Sequence, residues 1–347
     1  MKLFLLFLLA TASFVEFSAA TQRLMKGDFW WSEKYQLHRE PPVEKATFSP
    51  FADEVVEVKW IEQRLDNFDP QNEETWQMRY MENSYFLQEG GPIFIYIGGE
   101  WTIYNGTLLN SHMRDMARQL NGTMFYTEHR YYGESHPTPN ITAENLQWLN
   151  IDQALADLAF FIAHVKETNP LLRNSGVILI GGSYSATMAT WFMQKYPHLA
   201  NGAWSSSAPL EAKVDFIEYK EVVTEAMKAV GGNECSRRVE NAFQELEKLL
   251  AGEKTGEIEE LFLLCYPLDL SNELDVWNFF DDVAGPFSGL VQYHREIDQD
   301  IQNECNIIVN NPNPNDLEVL ASWWWFGDNP PDPQEPFDFC YNHRYSS

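Results

Sequence analysis

The sequence predicts an α/β protein built on a parallel sheet, followed by a helical region. Three observations carry this. Short apolar runs alternate with helix-patterned stretches between residues 93 and 206, as strand–helix units do. One run, Val177-Ile178-Leu179-Ile180, ends in Gly181-Gly182-Ser183 and small residues, then an amphipathic stretch. From about residue 212 the strand patterns stop, and residues 213–305 are acidic and helix-like. At 347 residues there is room for one large domain or two.

The elements follow in order. Residues 1–20 read as a secretory signal peptide: Lys2 is the charged start, Leu3 to Ala10 the apolar core, and Ser18-Ala19-Ala20 the small residues for cleavage. A membrane anchor would need about 20 apolar residues, and Glu16 interrupts this shorter run. Residues 21–53 are a polar, proline-containing leader. Residues 54–62 and 75–81 alternate in part and predict strands. Ile93-Phe94-Ile95-Tyr96-Ile97 is apolar throughout, as a strand buried on both faces requires, and Gly98-Gly99 closes it. Residues 107–120 predict a helix and 124–127 a strand. Residues 151–167 place Ala154, Leu155, Leu158, Phe161, Ile162 and Val165 on one helical face. Residues 177–180 predict a strand, 186–196 a helix and 202–205 a short strand. The expected organisation is a sheet domain over 54–211, a helical insertion over 212–310 and an irregular tail over 311–347, with no internal repeat.

Composition narrows the function classes. The net charge is −27, from 51 acidic and 24 basic residues. Nucleic-acid binding is disfavoured, because phosphates call for Lys and Arg. An acidic compartment would protonate some carboxylates and relieve their repulsion. Three sequons, at Asn105, Asn121 and Asn140, fit a secreted or lysosomal chain. No later segment is long enough to span a bilayer, so no membrane association is expected after signal cleavage. The four cysteines, Cys235, Cys265, Cys305 and Cys340, suit two disulfides in an oxidising compartment, with three pairings open. Their spacings of 30, 40 and 35 residues do not suit a metal site, and no cofactor is expected.

The chemistry centres on Gly181-Gly182-Ser183-Tyr184-Ser185. Such a turn lifts a serine off the end of a strand, and it needs small residues two positions either side. The alternative is an ordinary strand-to-helix turn with the serine as N-cap; the strand, turn and helix present together favour a nucleophile position. Ser183 is therefore the candidate nucleophile. The backbone N–H of Tyr184 is a natural oxyanion donor, favoured by the helix N-terminus. The second donor is expected from Gly99, in the loop after the earlier strand. His129, in Glu128-His129-Arg130-Tyr131-Tyr132-Gly133, precedes the serine, whereas the base follows it in this topology. His129 is expected to order its loop, and Arg130 to pair with a carboxylate. His198, His294 and His343 follow Ser183, and none follows a recognisable sheet strand.

These residues resemble the lysosomal Pro-Xaa carboxypeptidase family of serine peptidases. The resemblance spans about residues 60–310. It rests on Gln63-Arg64-Leu65-Asp66-Asn67-Phe68, Arg79-Tyr80, Gly98-Gly99-Glu100, residues 128–135, Gln153-Ala154-Leu155-Ala156-Asp157, Gly181 to Ser185 and Ser206-Ser207-Ala208-Pro209. It implies an α/β-hydrolase-type sheet domain with an inserted helical cap, peptide substrates, and exopeptidase cleavage beside proline or small residues. It also implies crossed disulfides, Cys235–Cys305 and Cys265–Cys340. Asn67 stands where the family usually has His, and Ala186 where glycine is common. The resemblance places a catalytic Asp and His, and the closing sheet strands, after the helical region; no position here matches them. Three readings follow: a serine exopeptidase lacking its acid and base in this chain, an inactive homologue that binds through its cleft, and an esterase. The proline-peptidase motifs disfavour the third. The sequence leaves open which substrate terminus is attacked and whether the protein is a homodimer.

Overall fold

The computed structural model describes residue 51, residues 53–327 and residues 340–341. The expected signal peptide, nearly all of the leader and His343 lie outside the described residues. The chain divides into two compact units, with the change between Ala212 and Lys213.

The first unit is a six-stranded mixed sheet with helices, an α/β-hydrolase-type architecture. Its strands are β1 (Glu57–Arg64), β2 (Thr75–Asn83), β3 (Ile93–Ile97), β4 (Thr123–Thr127), β5 (Val177–Gly182) and β6 (Gly202–Ser206). They lie in the order β1-β2-β4-β3-β5-β6. β1 and β2 are antiparallel, β2 is antiparallel to β4, and β4, β3, β5 and β6 run parallel. In register, Ile95 sits between Phe125 of β4 and Leu179 of β5. β3 is central, so its apolar run is buried on both faces.

Helices cover the two faces. Helix α1 (Gly106–Leu109) and helix α2 (His112–Leu120) occupy the stretch expected to be one helix. The break has a local cause: Ser111 is extended and its hydroxyl accepts from Arg114 N–H, so it caps α2 and cannot continue α1. Helix α3 (Ile151–Thr168) is capped by Asn150, and it buries the six apolar residues named above. Helix α4 (Tyr184–Lys195) follows β5 directly. Residues of α3 and α4, such as Phe161, Ile162 and Phe192, pack on Ile95 and Leu179. The opposite face carries Phe94, Met124 and Tyr126 against Leu108 and Met113.

The second unit is helical, and among its described residues there is no strand beyond one bridge, Leu264 to Tyr341. It contains α5 (Ile217–Ala226), a π-turn over Met227–Gly231, α6 (Asn233–Ala251), α7 (Thr255–Leu261), α8 (Glu273–Gln292), α9 (Asp300–Asn310) and α10 (Asp316–Phe326). Cys235 is bonded to Cys305, joining α6 to α9, and Cys265 to Cys340.

Helix α10 corrects the expectation of an irregular tail from residue 311. Asn315 accepts from the N–H groups of Leu317 and Glu318 and starts the helix. Trp323 and Trp324 are each 2% exposed and anchor it in the core. The prolines on both sides disguise this short apolar helix in the sequence. Arg238 ties it to α9: its guanidinium donates to the carbonyls of Ile308, Asn311 and Asn313, and pairs with Asp316 at 2.6 Å.

Candidate active site

Ser183 sits where β5 becomes α4, with φ 56° and ψ −128°. Positive φ in a non-glycine residue is a strained backbone, held here by its surroundings. Ser183 N–H donates to Ser206 O at the end of β6, at 3.0 Å. Its carbonyl accepts from Ala186 and Thr187, at 3.0 and 3.1 Å, and so begins α4.

The small residues around it have distinct reasons. A Cβ on Gly181 would lie 2.3 Å from Ser185 O and 2.6 Å from Ala186 N, so the turn closes only over glycine. Ser185 fills a position where this turn usually has glycine. Its hydroxyl donates to Gly182 O at 2.9 Å and accepts from Gly182 N at 3.0 Å, so the polar group is satisfied although the residue is fully buried. Ser183 itself is exposed.

Tyr184 is the first residue of α4, so its N–H is one of the first-turn donors that a helix leaves without an internal partner. The helix N-terminus adds partial positive charge at this point. β3 pairs with β5 through Tyr96 and Ile180, which brings the loop after β3 to the same edge of the sheet as Ser183. Gly98 donates to Thr127 O at 2.8 Å, and a Cβ on it would lie 2.3 Å from that oxygen. Gly99 is buried beneath Trp101, whose ring a Cβ would meet at 2.5 Å. Trp101 in turn donates from Nε1 to the Tyr126 hydroxyl at 2.7 Å. In the sequence, an aromatic two residues past Gly99 gives only a faint signal of this cover.

His129 is fully committed elsewhere. Its Nδ1 lies 2.7 Å from Arg130 O, and a carbonyl only accepts, so Nδ1 carries the proton. Nε2 then accepts from the Tyr184 hydroxyl at 3.0 Å. Burial pushes the imidazole pKa down to about 4, and the Arg130 charge adds to this. His129 is thus a neutral acceptor that orients Tyr184. Burial also pushes the Tyr184 phenol up, with Glu100 contributing.

Two buried ionic networks hold the neighbouring loops. Arg130 grips Asp157 with Nε and Nη2, both at 2.7 Å. Asn67, in the place of the family's usual His, donates to Asp157 at 2.9 Å and to Gln153 at 3.0 Å, so the exchange keeps a donor. Arg79 pairs with Glu128 at 2.6 Å, and Ser135 donates to the same carboxylate at 2.8 Å. The motif residues are visible in sequence, but their partners lie up to 94 positions away.

The remaining candidates lie apart. His198 is exposed in the turn beyond α4, and His294 belongs to the helical unit, where its Nδ1 accepts from Ile301 N–H at 3.5 Å. No described histidine or carboxylate is hydrogen bonded to Ser183 Oγ. Among the sequons, Asn121 and Asn140 are exposed, while Asn105 Oδ1 is buried with no partner among the described residues.

A family model for serine carboxypeptidase S28 matches residues 63–336. The chain belongs to the S28 serine peptidase family. Lysosomal Pro-X carboxypeptidase of Bos taurus is 34% identical over 226 residues, 62% of this chain and 45% of that protein. Thymus-specific serine protease of Homo sapiens is 31% identical over 254 residues, 71% of this chain and 49% of that protein. The chain spans about half the length of the curated relatives it matches. A thermostable esterase from Pseudomonas putida is a structural likeness at 17% identity and TM-score 0.33, covering 52% of this chain and 51% of the esterase. The assignment to S28 rests on the family match, and the fold on the strand order and the turn at Ser183.

Proposed function

We propose that this S28 chain carries the nucleophile side of a serine exopeptidase acting on peptides beside proline or small residues. Ser183 Oγ would attack the scissile carbonyl and form an acyl-enzyme, which water hydrolyses. The N–H groups of Tyr184 and Gly99 would hold the developing oxyanion. The observation that carries this reading is Ser183 itself: exposed, at positive φ, at the N-terminus of α4. The helical unit is assigned the role of cap from its place in the chain, directly after the sheet unit. Two disulfides and the lysosomal relatives support a secretory or lysosomal setting.

A nucleophile without its base and acid loses about 10⁴–10⁶-fold in rate. The described residues of this chain are therefore expected to give slow turnover. The test is labelling of the purified chain with a fluorophosphonate, followed by peptide mapping. The expected result is slow modification of Ser183, abolished in Ser183→Ala. Modification of another serine at the same rate in both proteins would overturn the assignment. Complete inertness, with proline-containing peptides still bound, would favour a cleft that binds without cleaving.

A further inference from the structure

The outer face of the β1–β2 hairpin carries a feature the proposed peptidase function does not use. β1 is the edge strand of the sheet, and Val58 and Trp60, two residues apart on one face, are 53% and 45% exposed. An edge strand with exposed apolar side chains invites pairing with other chains, and folded proteins cover or blunt such edges. Beside it lies a groove of about 640 Å³, a volume suited to a ligand of one or two sugar rings. Trp60, Thr75 and Gln77 line it from the strands, and Glu134, His136 and Asn140 from the loop after β4.

Asn140 is itself a sequon residue, with Thr142 two positions on. Its oxygens are engaged and its amide nitrogen is left outward. Oδ1 accepts from Asn145 Nδ2 at 2.5 Å, and its carbonyl accepts from Thr138 Oγ1 at 2.9 Å and from the same Asn145 amide at 3.2 Å. Nδ2, the atom that takes the sugar, has no acceptor among the described residues, and Asn140 is exposed. Asn105 contrasts with it, its side-chain oxygen being buried.

We propose that Asn140 carries an N-linked glycan whose first sugars lie in this groove, stacked on the Trp60 indole. A lipid-pyrophosphate-linked oligosaccharide of the secretory pathway is the donor. Nδ2 exchanges one hydrogen for a bond to the anomeric carbon of the reducing-end N-acetylglucosamine, and the lipid pyrophosphate leaves with the proton. The indole offers a flat apolar platform to the C–H face of the pyranose. Gln77, Thr75 and His136 are the polar partners for its hydroxyls and acetamide. The attached sugar then shields Trp60 on the edge strand.

The inference rests on the secretory setting, and the test separates the two. The full chain is secreted from a eukaryotic host, and glycopeptides are quantified by mass spectrometry. Native glycan release by an amidase is then timed at each site for the parent, Trp60→Ser and Gln77→Ala. Asn140 is expected to be occupied, with release there several-fold faster in both variants and unchanged at Asn121. Trp60→Ser is expected to lower the thermal midpoint more in the glycosylated parent than in an Asn140→Gln background. An empty Asn140 beside an occupied Asn121 overturns the groove and spares the secretory setting. No occupancy at any sequon overturns both. Equal release rates, or equal losses in the two backgrounds, overturn the stacking even with Asn140 occupied.

Discussion

Residues 54–212 fold without a cross-link, and their interior holds the ion pairs Arg79–Glu128, Arg114–Glu54 and Arg130–Asp157. Residues 213–327 reverse the balance. They have the disulfide Cys235–Cys305 and a second from Cys265 to Cys340, a core of Phe262, Phe279, Trp323 and Trp324, and one largely buried ion pair, Arg238–Asp316. A sheet fixes its own long-range register through strand pairing, so it can spend buried charge on holding loops at the edge where Ser183 stands. Short helices joined by loops have no such ladder, and covalent closure replaces it. The difference teaches that the two units hold their long-range structure by different means, strand pairing with buried charge in one and covalent closure in the other.

Reducing the disulfides is the strongest way to break that contrast. In the chain-entropy treatment, closing a loop of 70 residues is worth about 4 kcal/mol. Replacing both cysteine pairs by serine is expected to unfold the helical unit at far lower denaturant, with the sheet unit's transition unmoved. Limited proteolysis across a urea series reads the two units separately. Next in size is Asp157→Ala. It strands the buried Arg130 charge, and removing one partner of such a pair costs about 3–5 kcal/mol. Here the sheet unit's transition should move and the helical unit's should not. A shift of both transitions together in either experiment would show one cooperative whole and dissolve the comparison.

Much of the sheet was legible because burial on both faces leaves only apolar residues. Ile93 to Ile97 and Val177 to Ile180 read as central strands from their short length, β-branched content and closing glycines, which mark where backbone must approach backbone. The turn at Ser183 was legible for the same reason, since a Cβ at Gly181 would strike Ser185. What stayed hidden depends on contacts between distant positions. Nothing near Asn67 announces Asp157, nothing near Gly99 fixes the tilt of the Trp101 ring, and the role of Ser185 as a hydrogen-bonded substitute for glycine appears only in three dimensions. Helix α10 was lost for a local reason: Asn315 is a good cap signal, but prolines at 312 and 314 outweighed it.

His129 sharpens the comparison through pH. Its pKa falls from 6.5 to about 4 on folding, chiefly by burial. A group that binds its proton more weakly when folded contributes stability above its unfolded value, and loses it as pH falls from about 6.5 toward 4. The full span is about 3 kcal/mol, drawn from the sheet unit alone. His129→Gln keeps an acceptor for the Tyr184 hydroxyl and removes the titration. The variant's sheet unit should therefore show a flat profile between pH 4 and pH 6.5 where the parent's declines. An identical decline in both would mean that other groups govern the acid response.

Asp282 gives the smallest effect and the opposite sign. On α8 its carboxylate accepts from the Tyr341 hydroxyl and from Asn278 Nδ2, the latter at 2.8 Å. Burial, with help from the Asp281 charge, pushes its pKa from 3.8 up to about 6. The folded state then binds the proton more tightly. Its contribution is complete below about 3.8 and is lost as pH rises through about 6. The site is only half-buried, so solvent screening reduces the effect to roughly 1 kcal/mol. The helical unit should thus gain stability on acidification over the range in which the sheet unit loses it. Asp282→Asn keeps the geometry and should remove the slope, read as the helical unit's urea midpoint at pH 4.5 and at pH 7. Opposed slopes in the two units would mean that acidification redistributes stability between them. Parallel slopes would mean that the net charge of −27, shared by the whole chain, outweighs both buried groups.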